Sequence, residues 1–101
     1  MNDPEKKFIR VVDTTLRDGM QREGMSVSVD EKVRMAVRIA DLGVHVIEGG
    51  FPGSNPKDEE FFRKLQHEDL GQTAMAVFGM TRGKGRIAAD DPQLRALADC
   101  W

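Results

Sequence analysis

Asp13-Thr14-Thr15-Leu16-Arg17-Asp18-Gly19-Met20-Gln21 sets a guanidinium beside a carboxylate, with a carboxamide a few residues on. A carboxylate is a hard oxygen donor for a divalent cation, and a guanidinium fork recognises carboxylates and developing oxyanions. That mixture suits metal and carboxylate binding better than surface filling. A second acid, Glu48, closes the β-branched run Val44-His45-Val46-Ile47 and is followed by Gly49, Gly50 and Gly53, which open the backbone. Arg17, Asp18, Gln21 and Glu48 are therefore the residues whose positions have to be explained.

The elements that would hold them alternate. Phe8 to Val12 predicts a strand whose apolar density suits a sheet covered on both faces. No helix signal follows until Ser28, so the link spans residues 13–27, where an ordinary strand-to-helix loop needs about two to six. Ser28 and Glu31 make a capping box, Val33, Ala36, Val37 and Ala40 continue at helical spacing, and Gly43 offers a left-handed stop. Val44 to Glu48 predicts a second strand, joined to the first by a right-handed crossover. Asn55-Pro56 starts a second helix that runs to about His67, with Phe61, Phe62 and Leu65 on its apolar side. Thr73 to Phe78 predicts a third strand, Met80 to Ala89 a loop rich in glycine and basic residues, and Asp91-Pro92 a third helix. Three strand-helix units imply an α/β fold with parallel strands and no linker dividing the chain.

In an eight-unit barrel the chemistry lies at the carboxyl ends of the strands, which is where Asp13, Arg17, Asp18 and Glu48 fall. Adjacent parallel strands lie about 4.8 Å apart, so Glu48 could reach the Arg17-Asp18 pair; a surface ion-pair cluster of little energetic consequence is the plainer alternative. A hard ion bound by Asp18 takes about six oxygens, more than this chain displays. The histidines do not help. His45 lies roughly 10 Å down the strand from Glu48, and His67 ends a helix running away from the site, so both read as packed or solvated. Any remaining metal ligands would have to come from outside these 101 residues. The loop Gly79 to Arg86, with Arg82, Lys84 and Arg86, has the character of an anion cradle but lacks Walker or dinucleotide spacing, and a solvated loop is the blander and favoured reading.

Composition narrows the classes. With 40% apolar and 32% charged residues in 101, the chain reads as one soluble globular domain. A formal charge of -2 gives no field to draw it to nucleic acid or to an anionic membrane. The start lacks a signal-peptide core and no apolar run reaches the roughly 18 residues of a spanning helix, so a cytoplasmic location is expected. The single cysteine, Cys100, reads as a small apolar residue rather than reactive thiol.

The segment Asp13 to Gln21 resembles the opening signature of the DRE-TIM metallolyase, or pyruvate-carboxylase-like (HMGL-like), superfamily. This group includes isopropylmalate, homocitrate and citramalate synthases and hydroxymethylglutaryl-CoA lyase, metal-dependent barrels that make or break a carbon-carbon bond. Ile47-Glu-Gly-Gly-Phe-Pro-Gly-Ser-Asn-Pro-Lys-Asp58 and Val77-Phe-Gly-Met-Thr-Arg82, leading to Asp91-Pro92, most resemble the citramalate synthases. The similarity runs from about Phe8 to Ala98, and Asp99-Cys100-Trp101 departs from the pattern; a truncation, a fragment or a disrupted frame would each account for that.

The resemblance implies the first three strand-helix units of an incomplete TIM (β/α)8 barrel, a partial catalytic domain over residues 1–101. It implies Claisen condensation of acetyl-CoA with a 2-keto acid such as pyruvate, in branched-chain amino-acid biosynthesis, and homodimeric full-length relatives. It implies that Asp18 binds a divalent metal, magnesium or manganese in preference to zinc. Arg17 would be catalytic and substrate-binding, Gln21 substrate-binding, and Glu48 a catalytic residue that orients the arginine or a metal-bound water. The family's paired metal-binding histidines and its acetyl-CoA site have no counterparts here. Because such a barrel closes with about 250 residues, the isolated chain is expected to be marginally stable or oligomeric, and inactive. An interaction domain and an anion-binding module built on Gly79 to Arg86 are the readings of another class.

Overall fold

The computed structural model describes residues 7–21, 26–79 and 83–100. The β-branched pair Val46-Ile47 anchors the central strand, β2 (Val46–Glu48), which pairs in parallel with β1 (Val12–Asp13) on one side and β3 (Ala74–Ala76) on the other. The sheet order is β1-β2-β3, and the three strands form an open sheet. In register, Val12 faces Val46 and Asp13 faces Ile47, while Ala74, Met75 and Ala76 face Val46, Ile47 and Glu48. Strand side chains alternate between faces. Ile47 and Met75 therefore share one face, and Val12, Val46, Glu48, Ala74 and Ala76 the other.

The first face is the packed one. Between the strands run α1 (Val29–Asp41) and α2 (Pro56–Leu65), which pack on each other. Their apolar stripes close over Ile47 to give a core of Leu16, Val33, Ala36, Ile47, Phe61, Phe62 and Leu65, with Met75 against it. Burying each of the larger side chains contributes about 1.5–3 kcal/mol. Phe61 and Phe62 meet edge to face at 5.1 Å.

The helix boundaries have local causes. Ser28 Oγ accepts the Glu31 N–H at 3.1 Å and donates to the Glu31 carboxylate at 3.0 Å, giving a hydroxyl-to-carboxylate form of the capping box. Gly43, at φ +85°, ends α1 where an L side chain would be strained. Asn55 Oδ1 accepts the Lys57 N–H ahead of Pro56, and Asp91 caps α3 (Pro92–Asp99) through the Leu94 N–H.

All three strands are shorter than expected, and the first expectation needs correcting. Phe8 and Ile9 are 77% and 74% exposed and stand outside the ladder, which begins at Val12. Val11 and Val12 are half exposed, so the sheet is covered on one face at β1, not on two. β1 is an edge strand, and the helices pack against the Ile47 face.

A surface pair joins the start of α1 to the end of α2. Lys64 Nζ donates to Asp30 Oδ1 at 2.8 Å. That hydrogen bond and the adjacent charge hold the Asp30 carboxyl below its ordinary value of 3.8 and lift Lys64 above 10.5. Asp30, with its folded value depressed, stabilises above its unfolded pKa and loses that contribution as pH falls through the folded one; Lys64, with its value raised, stabilises below 10.5 and loses it as pH rises through the folded one. A double-mutant cycle of Asp30→Asn and Lys64→Gln, read by urea denaturation, is expected to show coupling at neutral pH that vanishes at both extremes and shrinks in about 1 M salt.

Candidate functional site

The loop after β1 is held by its own chemistry. Asp13 Oδ1 accepts the Thr15 N–H at 2.9 Å and Oδ2 accepts the Thr15 hydroxyl at 3.2 Å, so this carboxylate builds a turn instead of facing a ligand. The Thr14 carbonyl accepts the N–H groups of Arg17, Asp18 and Gly19 at 3.2, 2.8 and 3.2 Å. Leu16 plunges into the core at 1% exposure. With Leu16 anchored inward, Arg17 and Asp18 are left on the outer side of the turn, and a 3-10 turn, Gly19–Gln21, follows.

Arg17 Nε donates to Glu48 Oε1 across the β1–β2 junction, the convergence that strand spacing allowed. Both side chains are about three-quarters buried. Asp18 is exposed, and its backbone N–H donates to the Thr14 carbonyl. Gln21 closes the 3-10 turn, and its side chain lies outside the described residues.

The loop after β2 is tied down by a pair that sequence reasoning missed. Lys32 Nζ donates to Asp58 Oδ1 at 2.7 Å, and Asp58 Oδ2 accepts the Phe51 N–H at 2.8 Å, with both charged residues buried. The ammonium also lies 4.6 Å from the Phe61 ring centroid. The available signal was Lys32 itself, which falls on the same α1 stripe as Val29, Val33 and Ala36. Phe51 packs edge to face on Phe78 at 5.1 Å, and the Arg17 guanidinium lies 4.7 Å over the Phe78 ring. Arg17 is thus gripped by a carboxylate on one strand end and a ring beyond another.

The other sequence candidates have structural roles. His45 Nδ1 accepts the Val11 N–H at 2.9 Å and its ring meets Phe8 edge-on, at the opposite end of β2 from Glu48. His67 is exposed just beyond α2. Gly83 donates its N–H to Asp91 Oδ2 at 2.5 Å, so this amide of the glycine-rich loop is already taken by the chain's own buried carboxylate. Lys84 and Arg86 are exposed, and Arg82 lies outside the described residues. Cys100 donates its thiol to the Leu97 carbonyl at 3.3 Å, and burial pushes the thiol pKa up, away from nucleophile chemistry.

Among the described residues no three histidine, cysteine, aspartate or glutamate side chains cluster to hold a metal ion. Glu48 is committed to Arg17, and one exposed carboxylate at Asp18 falls far short of about six oxygens. These residues do not fit a complete metal centre. No helix among them is long and apolar enough to cross a membrane.

The HMGL-like family model matches residues 8–91, which include both strand ends and the loop that carries Arg17 and Asp18. The chain belongs to the HMGL-like family. It is 45% identical over 91 residues to an (R)-citramalate synthase of Sulfolobus acidocaldarius, covering 90% of this chain and 17% of that enzyme. It is 49% identical over 90 residues to the (R)-citramalate synthase of Streptomyces coelicolor, covering 88% and 17%. A 2-isopropylmalate synthase of Sulfolobus acidocaldarius is 50% identical over 76 residues, 75% of this chain and 19% of that enzyme. The chain therefore spans about a sixth of the length of the citramalate synthases it matches.

Within this HMGL-like segment, Gly50 has no room for a side chain. Its φ is +148°, and a Cβ there would sit 2.5 Å from Asp58 Oδ2, the oxygen that receives the Phe51 N–H. Gly50→Ala is expected to destabilise the chain by at least about 1–3 kcal/mol in urea denaturation, from backbone strain and displacement of the buried carboxylate together.

Proposed function

We propose that this chain forms the first three strand-helix units of a TIM-barrel enzyme that condenses an acyl-CoA with a 2-keto acid, most like citramalate synthase, with acetyl-CoA and pyruvate as substrates. The observation that carries the reading is the Arg17–Glu48 pair joining the ends of β1 and β2, with Asp18 beside it. It is supported by the match to citramalate synthases along some nine-tenths of the chain.

In the reaction, the methyl carbon of acetyl-CoA loses a proton and attacks the keto carbonyl, and thioester hydrolysis then releases citramalate. Negative charge develops on the former carbonyl oxygen. Arg17, its Nε held by Glu48, has its terminal nitrogens free of other acceptors among the described residues and so able to donate there. Glu48 is the residue that orients Arg17, since its Oε1 accepts the Arg17 Nε–H. Asp18 would supply one ligand to a divalent magnesium or manganese ion, which when bound polarises the keto acid. Gln21 belongs to the same substrate-facing turn. Further ligands and the acetyl-CoA site would come from other strands of the barrel.

Isopropylmalate synthase is the second reading, favoured by 50% identity over 76 residues to an enzyme of that name. It differs in the 2-keto acid consumed. The anion-binding reading of the glycine-rich loop is weaker, because Gly83 spends its N–H on Asp91.

A chimera tests the proposal: residues 8–98 replace the matching segment of the Sulfolobus acidocaldarius citramalate synthase. It is expected to release CoA and form citramalate from acetyl-CoA and pyruvate, in preference to a branched 2-keto acid. Arg17→Ala in the chimera is expected to cost about 10²–10³ in kcat, the worth of one oxyanion donor. A folded chimera that binds magnesium yet forms no citramalate would count against the reading. The isolated 101-residue polypeptide is expected to release no CoA under the same conditions.

A further inference from the structure

The grip on Arg17 has a second jaw. Glu48 fixes Nε, but one hydrogen bond leaves the guanidinium plane free to swing about that bond. The Phe78 ring, just beyond β3, removes that freedom by lying 4.7 Å beneath the guanidinium carbon, inside the roughly 6 Å reach of a cation–π contact. Phe78 is in turn held twice. Its backbone N–H donates to the Gly50 carbonyl at 2.8 Å, and its ring is met edge-on by Phe51 at 5.1 Å.

Both holds lead to the same buried group. Asp58 Oδ2 receives the Phe51 N–H, one residue after Gly50, while Oδ1 is paired with Lys32 on α1. A buried ion pair is seldom a net source of stability, yet breaking one leaves a charge unpaired, which makes it a stiff spacer between the elements it joins. Here it joins α1 and α2 to the one loop that carries Gly50 and Phe51.

From this geometry we infer that Phe78 is a positioning residue that orients the Arg17 guanidinium, and that the buried Lys32–Asp58 pair fixes Phe78 through the Gly50-Phe51 loop. The inference rests on the condensation reading for what Arg17 is oriented towards. Its physical content is independent of that reading: two aromatic rings and a buried carboxylate set the direction of one guanidinium. Glu48 holds the guanidinium at one edge and Phe78 holds it from below.

The test uses the Arg17 Nε–H resonance of the intact chain, assigned by its loss in Arg17→Lys. Phe78→Leu is expected to abolish its ring-current shift and to speed Nε–H exchange about two- to fivefold, the factor such a contact is worth at a partly exposed site. Phe78→Tyr, which keeps the ring, is expected to restore both. Asp58→Asn is expected to speed exchange in the same direction by a smaller factor. If Phe78→Leu lowers the thermal midpoint while leaving the Arg17 signal unchanged, Phe78 is a packing residue and the inference falls. If Phe78→Leu acts but Asp58→Asn does not, the ion pair has no part in it and that half is overturned. Titration of the citramalate synthase chimera with magnesium and pyruvate separates the two readings: a folded chimera that binds magnesium but not pyruvate counts against keto-acid binding, while the exchange ratios in the chain still decide the role of Phe78.

Discussion

Everything at the site depends on the pairing register of β1 and β2. Val12 opposite Val46 and Asp13 opposite Ile47 set the height at which the first loop leaves the sheet. The period of two does the rest, for with Ile47 locked into the core, Glu48 must lie on the other face. A slip of one residue would carry Glu48 under the helices and lift Ile47 out. The cost of burying an unpaired carboxylate and exposing a large aliphatic side chain rules that arrangement out. The apolar packing of Ile47 against Phe61, Phe62 and Leu65 thus has a chemical consequence, because it is what presents a carboxylate to Arg17.

The same logic operates in the turn after β1. Leu16 is one residue from Arg17 and two from Asp18, and its burial fixes which way its neighbours can project. Asp13 and the Thr14 carbonyl satisfy the local N–H groups, so the turn holds its shape without help from a ligand. In the proposed enzyme such preorganisation would matter for Arg17, since reorientation during the reaction would spend the stabilisation it offers.

Much of this was legible in the chain itself. The alternation of β-branched runs with capped helical stripes gave the three units, and Ser28, Gly43 and Asn55-Pro56 marked boundaries because each signal is local physics. The meeting of Arg17 with Glu48 was allowed by strand spacing, which put the two within reach without requiring it. What escaped depends on contacts between distant segments. Phe8 and Ile9 have the composition of a strand, but composition cannot say that the ladder begins only at Val12. Lys32 falls on the apolar stripe of α1, but Asp58 passes as an ordinary first-turn carboxylate, and only the packing of α1 on α2 brings them together as a buried pair. Leu16 sits amid polar residues with no periodic partner, so nothing in its neighbourhood marked it as core. Phe78 reads as the last residue of a strand; its use beneath Arg17 requires knowing that the Arg17 guanidinium comes to lie over its ring.

The sheet's two faces carry opposite demands, and that asymmetry is the strongest internal argument for the barrel. The Ile47 face is closed by two helices, while among the described residues neither α1 nor α2 packs on the face bearing Val12, Val46, Glu48, Ala74 and Ala76. Val12 there is half exposed and β1 leaves an open edge. A half-apolar face with one partly buried ion pair at its rim is poorly suited to water on its own account. It is well suited to the inside of a closed parallel barrel, where inward side chains pack in layers and polar groups gather at the carboxyl ends of the strands. The small residues at Ala74 and Ala76 leave room on that face beside Val46 and Glu48, as inward layers of mixed size require. In the proposed enzyme, then, the helices and the chemistry are segregated by the pleat itself, with stability assigned to odd positions of β2 and β3 and the site to the even ones.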